Sequence, residues 1–380
     1  MNLSLTGARW NPIEVPPARL QQVIQQTGLS NIAARCFAIR WDDTVADKSF
    51  LSPNLEHLCD PLLMKGMDEA VARLEQALQR GEHVRIITDY DVDGTTSSLI
   101  LQAALKLLSK DIRVDHHIPN RFDEGYGFST SAAKAAVNDG VNLIVTADIG
   151  VRDHAAVTMA TQGGTDVLIC DHHLPAGASV PPEAITLCPP QLGCQYPNPH
   201  LAACGVSLKL ATALLASHPR WPQIQLSLLK LAAIGTVADL VPLTSPENRA
   251  IVSIGLTQLN RGPHHAGLRA LLKVCNLTKT PIDEYHLGYR IGPRINAAGR
   301  IADAKLVVRL LNSRDPVLSR ELATQLDRLN THRRDIQQRV VNEARTKIAQ
   351  VEPFLLVSGH EEEGWHRGVV GIVASKIKEE

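Results

Sequence analysis

Asp89, Asp91 and Asp93, in the stretch DYDVDG, place three like charges within five positions directly behind an apolar run. Acids so close together repel unless something positive is shared between them. Comparable groups recur along the chain. Asp148 follows NLIVTA and precedes Gly150, Asp171, His172 and His173 follow DVLIC, and Asp239 follows LLKLAAIGTVA. Burying that many carboxylates and imidazoles in one place is prohibitive without neutralising cations. Hard oxygen donors with one or two imidazoles suit Mn²⁺ or Mg²⁺, and the lack of thiolates speaks against structural zinc. The number of acids suggests two ions, a pair able to hold both the attacking water and the leaving oxygen of a phosphoryl group. Gly94 then frees the backbone to turn from strand into helix beside them. A lone DxD at a strand end is commonly a cap or a solvated loop. It is the recurrence at separate element ends that carries the metal reading.

A second triplet, Asp115, His116 and His117 in VDHHIPN, also ends an apolar strand, so spacing alone does not dismiss it. The segment after it, IPNRFDEGYGFS, holds Arg121, Gly125 and Gly127 and reads more like a substrate loop, which favours residues 171–173 as the metal triplet.

The elements that must position these groups follow from apolar patterning. MDEAVARLEQALQRG (67–81) has a helical stripe closed by Gly81. Runs at 84–88, 142–147 and 166–170 alternate with helical patterns at 96–109 and 153–163. Continuous apolar strands separated by helices mean an α/β fold, a parallel sheet with helices on both faces. Ligands of such sheets sit beyond the carboxyl ends of the strands. Residues 205–275 read as mostly helical, and a long charged helix is expected over 316–350 as a connector. PFLLVSG (353–359) is expected to start a strand and GVVGIVASKI (368–377) a helix. The expected division is an N-terminal arm (1–65), a main domain with a helical insertion (66–315), the connector (316–350) and the start of a second α/β domain (351–380).

Composition bounds the function classes. With 39 Lys+Arg against 39 Asp+Glu, no global charge announces a polyanionic partner, so such a partner would need a local cleft. No apolar run approaches a membrane span and no leader pattern opens the chain, so no membrane association and a cytoplasmic location are expected. Seven cysteines without a CxxC pair read as reduced thiols, and Cys188 and Cys194 stand as lone residues in a Pro/Gly-rich loop. Within 290–350 thirteen Lys/Arg face six acids, either a groove that tracks a phosphate backbone or a solvated helix with paired charges. Arg294 and Arg300, flanked by Gly and Asn and expected in a loop, suit close approach to phosphate. Tyr126 and Phe128 could stack bases or fill the core, and Trp365 and His366 precede a helix whose free N–H groups could take a phosphate.

DYDVDG, TADIG, CDHHLP and GTVADLVPL, in this order, resemble the four motifs of the DHH phosphoesterase superfamily. CDPLLMKGMDEAVARLEQAL, IPNRFDEGYGFS, AACGVSLKLATALL, GPRINAAGRI and GWHRGVVGIVASKIK resemble its RecJ branch of single-strand-specific exonucleases, the last looking like the start of a DHHA1 domain. The resemblance spans roughly residues 30–380. It implies metal ligation by Asp91, Asp93, Asp148, His172 and Asp239, with Asp89 in the same cluster, and His173 against the scissile phosphate. Asp91 and Asp148 are implied in catalysis with His173, and Arg294, Asn296 and Arg300 in holding the strand, with Arg121, Tyr126, Trp365 and His366 as further substrate contacts. The implied activity is hydrolysis of single-stranded DNA, 5′→3′, with two Mn²⁺ or Mg²⁺ ions, in DNA repair and recombination. Implied partners are single-stranded DNA, a single-strand-binding protein and a helicase, with the chain a monomer. Rival readings are a DHH phosphodiesterase acting on short oligonucleotides or cyclic dinucleotides, which would lack the PRINAAGR and NRFDEGYG signatures, and an inactive DNA-binding relative, which would have lost cluster acids. The rest of DHHA1 and an OB-fold do not follow in this sequence, so the chain is expected to be a short form or a fragment.

Overall fold

Five parallel strands make one sheet in the order β2-β1-β3-β4-β5: β1 (His83–Thr88), β2 (Arg113–His117), β3 (Leu143–Ala147), β4 (Asp166–Cys170) and β5 (Ile185–Leu187). This is a computed structural model describing residues 11–40, 48–348, 350 and 352–379. Parts of the expected N-terminal arm, residues 1–10 and 41–47, lie outside the described residues.

Successive strand residues point to opposite faces, and both faces are apolar. Val84, Ile86, Leu143, Val145, Leu168 and Cys170 enter one buried cluster. Ile87, Ile144, Val167 and Ile169 enter another on the far side. A sheet buried on both faces needs strands without polar alternation, which is why these runs read as continuous in the sequence.

Before the sheet come α1 (Pro17–Thr27), α2 (Asn31–Arg40), α3 (Lys48–Leu51) and α4 (Met67–Arg80). The first two pack on each other through Leu20, Val23, Ala34 and Phe37. Within the sheet's sequence come α5 (Val92–Leu108), α6 (Thr130–Asn138) and α7 (His154–Gln162). After it come α8 (Ala203–Leu215), α9 (Trp221–Ala238), α10 (Pro246–Arg261), α11 (Ala266–Val274) and the short α12 (Glu284–His286). The chain ends with α13 (Gly292–Ile301), α14 (Lys305–Asn312), α15 (Pro316–Lys347) and α16 (Arg367–Glu379). Side chains of α4, α5 and α8 cover one face of the sheet, and Ala132, Ala136, Val157 and Ala160 of α6 and α7 cover the other. A further cluster joins α9, α10, α11, α14 and the first half of α15. A smaller one joins the second half of α15 to Trp365, Val369 and Val373.

Three expectations change. The run 353–359 is not a strand; among the described residues nothing pairs with it, and Phe354 and Leu356 stand exposed. Arg294 and Arg300 lie on helix α13 rather than in a loop, because a π-helical turn (Leu287–Ile291) runs straight into it. The three-residue β5 was not anticipated, being too short to carry a periodic signal.

Candidate metal centre

Strand order reverses between β1 and β3, so their carboxyl ends open a crevice. Asp89 follows Thr88 at the end of β1, Asp148 follows Ala147 at the end of β3, and Asp171–His173 follow Cys170 at the end of β4. Asp239 caps the C-terminus of α9, which packs closely against α5; a Cβ at Gly235 would lie 2.5 Å from Thr96 Oγ1 and 2.9 Å from Asp93 Oδ1. The acids therefore meet. One ligand atom from each of Asp89, Asp91 and Asp148 lies within 4.8 Å of the others, and so do those of Asp93, His172 and Asp239, and of Asp148, His172 and His173. His172 Nε2 is 3.2 Å from Asp148 Oδ1, 3.7 Å from Asp239 Oδ2 and 3.9 Å from Asp93 Oδ2.

Local structure holds each acid. Asp91 is the N-cap of α5, its Oδ1 accepting from the N–H groups of Asp93 (2.8 Å) and Gly94 (3.1 Å). Asp93, 1% exposed, accepts from Ala203 N–H (2.7 Å) and Cys204 N–H (2.9 Å), the first residues of α8. A helix N-terminus favours an anion there. Asp239 has the opposite setting, a carboxylate at a helix C-terminus, where the helix dipole disfavours it. Asp148 takes a left-handed backbone, φ 66°, a conformation short polar side chains tolerate. Gly94 proves to be required for a different reason than expected. It lies inside α5, outside the positive-φ glycines, and a Cβ there would sit 2.6 Å from the carbonyl oxygen of Asp89.

The electrostatics report the crowding. Burial, then the charge of Asp91, pushes Asp89 up to about 7. Burial, then Asp93 and Asp91, pushes Asp239 up to about 8. Burial, followed by Asp93, Asp91 and Asp89, holds Asp148 well above the usual carboxylate range. Asp89 Oδ1 and His172 Nε2 are buried without a hydrogen-bond partner. Unpartnered buried acceptors beside mutually repelling carboxylates fit a site for divalent cations, and five carboxylates with one imidazole are the donors such ions take.

Asp171 behaves differently. Its Oδ1 accepts from His173 Nδ1 (2.7 Å) and from the backbone N–H of His172 (2.7 Å), and its Oδ2 from Val151 N–H (3.1 Å). Burial opposes its ionisation, but the bond and charge of His173 outweigh that and hold it below the carboxylate range. In turn the Asp171 bond raises His173. Asp171 thus fixes the His173 ring, a positioning role the residue types alone did not single out. The ring's other nitrogen, Nε2, lies 3.4 Å from the Tyr126 hydroxyl.

The substrate residues read from the sequence divide into two sets. Arg121 lies 4.2 Å from the centre of the Tyr90 ring. Arg300 is lowered by burial and then by the charge of Arg121, and its Nη1 donates to the Gly368 carbonyl (3.3 Å). His366 packs edge-on against Phe122, ring centres 5.1 Å apart, joining the DEGYG loop to the C-terminal segment. Tyr126 is exposed and edge-on to Tyr90. Asn296, Arg294 and Trp365 are instead engaged in internal contacts. Asn296 Oδ1 accepts from Val92 N–H (3.1 Å), and Gly299 lets α13 approach the Tyr90 carbonyl, where a Cβ would lie 2.6 Å away. Arg294 donates to Asp327 Oδ1 (2.8 Å) and Trp365 Nε1 to Glu343 Oε2 (2.8 Å), with Trp365 buried. The asparagine and glycine of PRINAAGR clamp the aspartate loop from behind. The triplet at 115–117 is structural: Asp115 pairs with Arg85 and His83, His116 bonds Ser98, and His117 bonds Glu124.

A parallel sheet with its acids at the switch point is the setting of the DHH phosphoesterases, and the model of the DHH family, N-terminal domain, matches residues 83–236. The single-stranded-DNA-specific exonuclease RecJ of Bacillus subtilis (strain 168) is 38% identical over 372 residues, 97% of this chain and 46% of that protein. RecJ of Escherichia coli (strain K12) is 37% identical over 332 residues, covering 83% of this chain and 56% of its own length. An exonuclease RecJ crystal structure bound to manganese superposes with TM-score 0.72 at 32% identity, covering 83% of this chain and 77% of that one. RecJ of Thermus thermophilus in complex with Mn²⁺ gives TM-score 0.80 at 30% identity, covering 98% of this chain and 52% of that one. The chain belongs to the RecJ family of the DHH superfamily. It spans about half the length of the curated relatives it matches. Among the described residues no helix is long and apolar enough to cross a membrane.

Proposed function

We propose that the chain hydrolyses phosphodiester bonds of single-stranded DNA, from the 5′ end, in DNA repair and recombination. The observation that carries this reading is the convergence of Asp89, Asp91, Asp93, Asp148 and Asp239 with His172, whose Nε2 lacks a hydrogen-bond partner. We assign these residues as the ligands of two divalent cations, Mn²⁺ or Mg²⁺; crystal structures of Thermus thermophilus RecJ are described in complex with each of these ions. When bound, such cations neutralise the acids, draw charge from a phosphoryl group and make water a better nucleophile. Asp148, common to two of the three ligand groups, and Asp91, which joins it in one of them, set the spacing on which that depends.

The remaining groups act on the strand. Asp171 accepts from His173 Nδ1, which leaves Nε2 to donate to a phosphate oxygen as negative charge builds there. Arg121 and Arg300 offer guanidinium groups for the phosphates that follow, and Tyr126 and His366 offer ring faces and edges. Arg294, Asn296 and Trp365 support these contacts from behind. Residues 66–315 form the catalytic unit, 316–350 the connector, 351–380 the beginning of a DHHA1 domain, and 1–65 an arm. The chain works as a cytoplasmic monomer on strands exposed by a helicase and a single-strand-binding protein.

The test is 5′- and 3′-labelled single- and double-stranded DNA, alongside a dinucleotide, with Mn²⁺, Mg²⁺ or chelator. Cation-dependent shortening of the single strand from its 5′ end, absent in Asp148→Ala, is the expected result. Activity confined to the dinucleotide, or strand binding with no hydrolysis in any cation, overturns the proposal.

A further inference from the structure

Lys230 lies on α9 with 7% exposure, and among the described residues no carboxylate pairs with it. Its Nζ donates to the carbonyl of Pro263 (2.8 Å), which leaves further N–H donors over. A buried ammonium without a counter-ion is costly, and native chains normally supply the missing anion. Here the fold adds basic groups instead. Lys230 borders a cavity of about 350 Å³ whose rim also carries His264, His265 and Arg314, with no acid among its lining residues. That volume falls within the range of small-molecule sites.

The titratable groups that line the cavity are all basic. On α9 the group is Lys230; before and at the N-terminus of α11 they are His264 and His265; after α14 it is Arg314. Asp315, the nearest acid in sequence, is occupied in capping α15, where its Oδ1 accepts from Val317 N–H and Leu318 N–H. Among the described residues, the buried His264 Nδ1 finds no hydrogen-bond partner. Burial, then the charge of Lys230, pulls both histidines below their ordinary range, and burial lowers Lys230 itself. Most of the remaining wall is apolar, with Leu99 and Ala103 of α5, Leu231 of α9 and Leu268 of α11, and Ser227 and Asn312 add two neutral polar groups. A bare phosphate would leave most of that wall uncovered.

The geometry points to a second ligand site, in which Lys230, His264 and Arg314 take the phosphate of a small phosphomonoester while Leu99, Ala103 and Leu268 cover its organic part, as a nucleoside monophosphate would present them; His265 is occupied in capping α11, its Nδ1 accepting from Leu268 N–H. The site is separate from the carboxylate cluster, because Lys230 and Asp239 stand about 13 Å apart along the axis of α9. It does not depend on the proposed hydrolysis. Its charge is opposite to that of the cluster, so an anion finds this cavity without any divalent cation.

The experiment is isothermal titration of the full chain in chelator with deoxyadenosine monophosphate, inorganic phosphate and deoxyadenosine. The monophosphate is expected to bind one site per chain, inorganic phosphate at least tenfold more weakly, and deoxyadenosine without measurable heat. Arg314→Glu, at an exposed position that should not disturb folding, is expected to weaken the monophosphate at least tenfold, and His264→Ala severalfold. Absence of binding at millimolar monophosphate, or equal binding by wild type and Arg314→Glu, overturns the site. Equal affinity for phosphate and monophosphate overturns the organic part of the assignment.

Discussion

Replacing Asp239 by Asn should stabilise the cation-free protein, and increasingly so as pH rises. In the folded chain burial, then Asp93 and Asp91, raises Asp239 to about 8, whereas its unperturbed value is 3.8. Between those values the folded state keeps a proton that the unfolded state has released, so stability falls as pH rises through the interval. Each retained proton is worth about 1.4 kcal/mol per pH unit. From pH 5 to pH 8 the loss through Asp239 alone reaches an upper limit of about 4 kcal/mol. It is smaller to the extent that relief is shared with Asp93 and Asp91. Against total stabilities of about 5–15 kcal/mol this is readily measured. Asn carries no charge at any of these pH values. Other groups titrate in the same window: His116, pulled down to about 4 by burial, contributes stability that increases with pH. Such contributions are common to both proteins and cancel in the difference. The assay is urea unfolding of wild type and Asp239→Asn in chelator at pH 5, 6, 7 and 8. The difference should widen steadily in favour of the variant from pH 5 to pH 8. Adding Mn²⁺ at pH 8 should reverse the order, because a ligand that binds only the folded state stabilises it. Parallel pH profiles without cation would refute the view that these acids repel one another.

Asp171→Asn should lower turnover of a single strand about 10–100-fold, while Mn²⁺ still raises the melting temperature as in wild type, since Asp171 holds His173 rather than the ions. Glu247 accepts from the Tyr196 hydroxyl and Cys59 N–H and pairs with Lys209, all deep in the fold. Glu247→Gln therefore leaves a buried cation uncompensated and should cost about 3–5 kcal/mol in urea unfolding. Trp365→Phe removes the bond to Glu343 and should cost about 1 kcal/mol with strand affinity unchanged; a several-fold loss of affinity would return Trp365 to the cleft.

Elements whose cause is local were legible in the sequence. The strands at 83–88, 143–147 and 166–170 are apolar because both faces of the sheet are covered, and the polar residues after them fall where strand order reverses. Elements decided by distant partners were not. The run at 353–359 has strand composition but, among the described residues, no strand beside it to pair with, and α13 forms across glycines because it is stacked on a π turn and pressed against Tyr90. Arg294 and Asn296 show the same limit within the site. Residue types that suit phosphate also suit an ion pair with Asp327 or a clamp on Val92, and spacing cannot separate the two. The triplets at 115–117 and 171–173 are likewise alike in composition. They differ in that β2 is an edge strand beyond the crevice, where Ser98 and Glu124 take up its histidines.

Asp89 and Asp239 lie far apart along the backbone, yet each joins a group of ligand atoms within 4.8 Å of one another, and the groups are linked through Asp148 and His172. No local segment can assemble them, so a chain still being synthesised carries no complete set of donors until α9 has emerged and docked onto α5. Cation affinity is then a late product of folding, and a polypeptide that stalls or misfolds before that point holds its aspartates in isolation, where they can gather no pair of ions.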